Sequence, residues 1–377
     1  MKNFILFSAF LLTVACATID QETPDPQEET ETADLNLQKL ARIFADLPID
    51  DNHIQEVYDA VVSSSGRGYD EEYTLDCLLT EPGSGVGTQS GTKTGKQYSN
   101  PLRNLIRDYF EQHPTTKGSV EQMLIQLAKS DYQLYWPYHE NWDGYSYPII
   151  TFDPGYGAQS NYGYAISCQS DGTRIVDSVY VDEKVAVKRP VWVINSNTDA
   201  GFTPLELFEN PGGLKSAPMS RRRTLTMKSF RMLRNYDSWF GGASEFWIKC
   251  GSVEGFNAST EAELKLYSPS VTDFLIVVKR KDLGKELPYD VVMVSDFSSQ
   301  LDKIAFMITE DDGGTRSSWK CQAAVKIKSK SYGIEVDLPL NQKDDIVWRG
   351  QLSARYFEEE DVVSGRFGDV IVSFELN

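Results

Sequence analysis

The sequence predicts an α+β N-terminal domain followed by an all-β antiparallel sandwich domain. Three observations carry this. Apolar residues recur at helical spacing between residues 35 and 127. Short strand-like runs, rich in aromatics, then follow up to residue 195. From Thr224 onward, strand-like segments recur every 10–20 residues with no convincing helix among them.

Leu37, Leu40, Ala41, Phe44 and Leu47 share one face of a first helix, which Pro48 ends. Asp50 and Asp51 are N-cap candidates for a second helix. Ile54, Val57, Tyr58 and Val61 lie on one of its faces, and Gly66 and Gly68 close it. After Cys77 comes a glycine-rich stretch whose Gly91–Lys96 looks superficially like a phosphate-binding loop. Only three residues separate its glycines, and Gln97 stands where Ser or Thr must reach magnesium, so it reads as a flexible loop. Leu102, Leu105, Ile106, Tyr109 and Phe110 mark a third helix, and Val120, Met123, Leu124 and Leu127 a fourth. Eleven aromatics then fall in the 33 residues from Tyr132 to Tyr164. Strands are expected at Pro148–Phe152, Tyr162–Ser167, Thr173–Val181 and Pro190–Asn195, which completes an α+β domain over 35–200.

Residues 198–223 hold three prolines, three glycines and the run Arg221-Arg222-Arg223. A linker is placed at 201–223, its basic run a solvated face or an exposed protease site. The second domain spans 224–377. Its main strands are expected at Glu245–Cys250, Phe274–Val278, Val291–Val294, Lys303–Ile308, Gln322–Lys328, Ile334–Leu338, Ile346–Leu352 and Val370–Leu376. Several alternate, as Val370, Val372, Phe374 and Leu376 do, which is the pattern of half-buried strands in a sandwich.

The chain has 377 residues and a formal charge of −18. Setting aside Lys2 and the seven acids of residues 18–34 takes −18 to −12 for residues 35–377. Such a body argues against nucleic acid, whose binders neutralise phosphate with Lys and Arg, and against electrostatic docking to anionic lipid. Four cysteines follow Cys16: Cys77, Cys168, Cys250 and Cys321. Pairs 77–168 and 250–321 would keep each bridge within one domain; four buried thiols are the alternative. No C-x-x-C spacing suggests zinc.

The first residues concern export. One base, Lys2, precedes an apolar run from Phe4 to Ala15, about twelve residues against the ~20 of a membrane span. The run ends Leu12-Thr13-Val14-Ala15-Cys16, small residues before a cysteine, which resembles the lipobox of bacterial lipoproteins. Thr13 stands where that family usually has Leu. The resemblance covers residues 1–16 only. It implies a signal peptide at 1–15, lipidation at Cys16 and a membrane anchor through the lipid, at the outer membrane or cell surface. Ala15-Cys16-Ala17 also fits an ordinary secretory cleavage site, which implies a secreted or periplasmic protein instead. Residues 16–34 read as an acidic disordered tether.

Three constellations are candidates for chemistry. Trp136, Tyr138, Trp142 and Asp143 mix flat rings with short polar groups, as glycan-binding surfaces do; packing of helices onto a sheet is the competing use. Asp237 and Glu245 flank Trp239-Phe240-Gly241-Gly242, and Glu310, Asp311 and Asp312 precede Gly313-Gly314. If these loops meet, they offer the hard oxygens that Ca2+ takes, in a layout loosely similar to calcium-binding β-sandwiches such as C2 domains. Otherwise they are soluble acidic loop tips. His53, His113 and His139 have no triad or metal spacing, and neither G-x-S-x-G nor H-E-x-x-H occurs. These observations favour a ligand-binding protein with a glycan or envelope-protein partner over a structural assembly protein or an exported hydrolase.

Overall fold

The computed structural model describes residues 35–80, 98–114, 118–168, 173–197 and 223–377. The expected signal, Cys16 and tether, the glycine-rich loop and nearly all of the expected linker lie outside the described residues. Helix α1 (Leu37–Asp46) is capped by Asn36 and stops before Pro48. Helix α2 (Asp51–Ser65) is capped by Asp50, which accepts from the Asn52 and His53 amides while His53 Nδ1 accepts from the Asp50 amide. A histidine here does the reciprocal work usually given to Glu or Gln. The chain next forms β1 (Glu72–Thr74) and α3 (Leu75–Leu79), both too short to show a period in the sequence. Helices α4 (Leu102–Gln112) and α5 (Val120–Ala128) follow where expected.

Strands β2 (Tyr132–Tyr135), β3 (Ile149–Phe152), β4 (Ser160–Cys168) and β5 (Arg174–Asp182), the single turn α6 (Glu183–Ala186) and β6 (Val191–Ser196) complete this part. Its sheet runs β1-β2-β6-β3-β4-β5, antiparallel except where β3 meets β6. The helices cover one face, packing Leu40, Phe44, Ile54 and Val57 onto Trp136, Ile150, Trp192 and Ile194. The other face presents Tyr135, Ile149, Val181, Val191 and Val193, and receives Trp239 and Phe240 from the later chain. Strand β6 is therefore buried on both faces, which explains its unbroken apolar run.

The rest is β7 (Leu225–Met232), β8 (Ser244–Ser252), the turn α7 (Glu261–Leu264), β9 (Ser270–Val278), β10 (Leu287–Val294), β11 (Leu301–Glu310), β12 (Arg316–Ile327), β13 (Lys330–Asn341), β14 (Asp345–Ser353), β15 (Val362–Phe367) and β16 (Val370–Leu376). One antiparallel sheet runs β10-β7-β16-β15; the other runs β13-β12-β11-β8-β9, with β14 also on β11. The described chain is mostly β, with a smaller mixed helical part ahead of these sheets. Turn α7 is the one α-helical element after residue 224 among the described residues, a single turn with no buried residue and too short for any periodicity to mark it. Rings of the two sheets meet, Phe230 with Phe246 at 5.0 Å and Phe306 with Phe374 at 5.6 Å, inside one apolar core. Leu35–Asn377 hold together as one compact unit that contains both parts.

Of the cysteines, Cys250 and Cys321 are free thiols, so the 250–321 bridge is not formed. Cys250 faces the apolar core, and burial pushes its thiol up to about 12. Cys321 Sγ lies 3.4 Å from the Val336 carbonyl. The side chain of Cys168 lies outside the described residues. Arg223, last of the basic run, pairs with Glu358 at 2.6 Å and covers the Phe297 ring.

Candidate metal centre

Antiparallel pairing of β8 with β11 sets Glu310 opposite Phe246, and the Asp311 amide donates to the Glu245 carbonyl. This register lays the end of β11 beside the start of β8. Residue Asp237, in the connection from β7 to β8, closes the group. One carboxylate oxygen from each of Asp237, Glu245 and Glu310 lies within 4.8 Å of the others. Glu245 and Glu310 are buried and Asp237 is half-buried. Glu310 Oε1 finds no hydrogen-bond donor among the described residues.

Crowding carboxylates out of water is expensive unless protons or cations balance them. Burial, opposed in part by a hydrogen bond from Glu310 and reinforced by the charge of Asp312, pushes Asp237 up to about 6. Burial, followed by the charge of Asp237, holds Glu310 far above the usual carboxylate range. Glu310 is accordingly neutral at pH 7 without a cation. Three oxygens meet about half of the six to eight that calcium takes, leaving the others to water or backbone carbonyls. The donors are all hard oxygens, which suits calcium or magnesium better than zinc.

Of the five acids expected at such a centre, the structure brings three together. Asp311 is committed elsewhere: its oxygens accept from Trp247 Nε1, the Gly313 amide and Asn341 Nδ2. Asp312 is exposed and sits outside the group of three, raised by burial of its neighbourhood and by Asp345, Asp344 and Asp311. It lines a cleft of about 510 Å³ with Asp131, Tyr132, Asn197 and Lys343.

A second acidic group was not anticipated. Glu71, His139 and Glu140 also converge within 4.8 Å, but a cation is already in place. Lys281 Nζ lies 3.1 Å from both Glu71 and Glu140. His139 and Lys281 hold buried Glu71 below its ordinary value despite desolvation. Glu71 and His139 are 68 positions apart in the chain, so no spacing could announce them.

The aromatic candidates divide. Trp136 is fully buried, edge-on to Tyr58, Trp142 and Trp192, so neither ring face is open to a sugar. This corrects its expected place on a ligand surface: the helical layer needs a large ring to fill its gap over the sheet. Trp142 packs against the same core and donates from Nε1 to the Ser146 carbonyl. Tyr138, in a left-handed conformation at φ 56°, gives its hydroxyl to Glu183. Asp143 is exposed and accepts from the Tyr145 and Ser146 amides within its own turn. Among the described residues the exposed tyrosine rings are Tyr145, Tyr156, Tyr162 and Tyr180, with Tyr162 and Tyr180 paired across β4 and β5.

No protein-family model matches the chain, and comparison with curated proteins and with solved structures returns no match. The geometry of the site is therefore what bears on function.

Proposed function

We propose that this chain is an exported, lipid-anchored envelope or cell-surface protein whose body is organised by a bound calcium ion and serves binding rather than catalysis. One observation carries the calcium part: Asp237, Glu245 and Glu310 converge in a largely buried position with an oxygen of Glu310 left without a donor. A divalent ion bound there adds positive charge to the three carboxyl groups, as Lys281 does for Glu71 and Glu140. We also read the two C-terminal sheets as a sandwich, a reading supported by the Phe306 ring, which meets Phe367 and Phe374 from the opposite sheet.

Export and anchoring rest on the residues before Leu35, above all Cys16 and the acidic stretch after it. Among the described residues no helix is long and apolar enough to cross a membrane. A glycan or protein partner is the reading for the exposed surface. With Trp136 and Trp142 in the packing, the exposed rings Tyr145, Tyr156, Tyr162 and Tyr180 are the ones available to it.

Two experiments test this. Thermal unfolding in EDTA and then in millimolar calcium should show a rise of several degrees; an unchanged midpoint would remove the ion from the reading. Cys16→Ala should move the expressed protein from the membrane fraction to the aqueous fraction, and unaltered membrane retention would remove the lipid.

A further inference from the structure

The connection from β7 to β8 has an unusual arrangement of tip and base. Its tip, Trp239-Phe240, belongs to another part of the molecule. Both side chains are fully buried, their rings 4.0 Å apart, against Tyr135, Ile149, Val191 and Val193 of the first sheet. Trp239 Nε1 donates to the Gln159 carbonyl, and Asn195 Nδ2 donates to the carbonyls of Phe240 and Gly241. The Ala243 amide donates to Asp70 Oδ2. Gly242 lies at φ +125°, and a Cβ there would stand 2.5 Å from that same carboxylate oxygen, so only glycine brings the chain this close. Residues 239–243 are thus the plug by which the C-terminal part grips the mixed N-terminal part.

The base of the same connection is the acidic centre. Asp237 stands two residues before Trp239, and Glu245 two residues after Ala243. They converge with each other and with Glu310. Arg280 braces one foot from outside, donating from Nη1 to the Asp237 carbonyl while its Nε pairs with Glu183 at 2.8 Å. A cation held by Asp237 and Glu245 together ties the two ends of the loop, so the loop cannot open without giving up a ligand.

We propose that a divalent cation at Asp237, Glu245 and Glu310 closes the base of the 237–245 loop and thereby locks the Trp239–Phe240 plug into the first sheet. The inference rests on the calcium reading above and adds what the ion regulates. An ion binds the docked loop better than the opened one, and that difference in affinity is all it needs to shift the docking equilibrium. The undocked state exposes two large rings and the apolar face they cover, a surface suited to a partner.

The test uses the full chain and calcium chloride as the only probe. Calcium binding is measured by titration calorimetry after EDTA treatment. Amide hydrogen exchange is then followed at residues 238–245 and in β3 and β6, with and without calcium. The expected result is one bound ion and exchange at Trp239–Ala243 slowed tenfold or more, with strands β12 and β13 unchanged. Glu310→Gln should abolish binding and leave that exchange fast in calcium; Asp237→Asn is the second variant if the first folds poorly. Binding that Glu310→Gln abolishes, with plug exchange the same in EDTA and calcium, overturns the lock and leaves the ion site standing. No binding to the wild-type chain overturns both.

Discussion

Replacing Glu310 by Gln separates a metal ligand from a buried acid that is merely tolerated. Without an ion, Glu310 holds its proton at neutral pH because burial and Asp237 lift it so far. Gln is the neutral isostere of that protonated acid, and its amide can still donate to Asp237. The metal-free stability should therefore change by less than about 1 kcal/mol, well under the 1–3 kcal/mol for stranding a buried polar group. With calcium the contrast is large. The wild-type chain gains about 2.7 kcal/mol at a hundredfold excess over its dissociation constant, roughly 5 °C at about 2 °C per kcal/mol for a unit of this size. The variant should gain nothing, because the ion requires the carboxylate. Differential scanning calorimetry at pH 7.5, in EDTA and in excess calcium, reads both numbers. A calcium shift kept by Glu310→Gln, or a melting point several degrees below wild type in EDTA, would refute this role of Glu310.

Three further outcomes follow from the same geometry. The metal-free chain should lose stability as pH rises from 4 to 7, because a carboxylate raised on folding favours the protonated native state: Asp237, pushed from 3.8 up to about 6 mainly by burial, contributes stability that is fully present below its ordinary value and lost as pH rises through 6. The shift is worth less than about 3 kcal/mol, since Asp237 is partly open to water; a flat or rising melting temperature over that window would contradict the assignment, and calcium should flatten the dependence. Trp136→Ala should cost about 3–5 kcal/mol in urea unfolding, since the ring is fully buried among Tyr58, Trp142 and Trp192; a loss below about 1 kcal/mol would return it to the surface. Lys281→Met leaves buried Glu71 with His139 alone and should cost about 3 kcal/mol at pH 7.5, with partial recovery at pH 5.5 as the acid takes up a proton. Equal losses at both pH values would argue that the lysine acts through its alkyl chain.

Much of this molecule was legible in residue order. Period 3.6 exposed α1, α2, α4 and α5, and all eight strands named after residue 224 are present, because their apolar residues either alternate or run unbroken along the strand's own length. Asp237 and Glu245 could be marked as flanking Trp239-Phe240 for the same local reason. What the order of residues could not decide is anything that depends on which segments become neighbours. Glu310 joins Asp237 and Glu245 only through the β8–β11 register. Lys281 neutralises Glu71, and Trp239 crosses to the first sheet, through contacts between residues far apart in the chain. Trp136 shows the same limit from the other side: its Pro- and Gly-rich neighbourhood reads as an exposed loop, yet the helical layer closes over the ring. Local pattern determines which face of an element is apolar; only tertiary packing decides what covers that face and which charges are brought together beneath it.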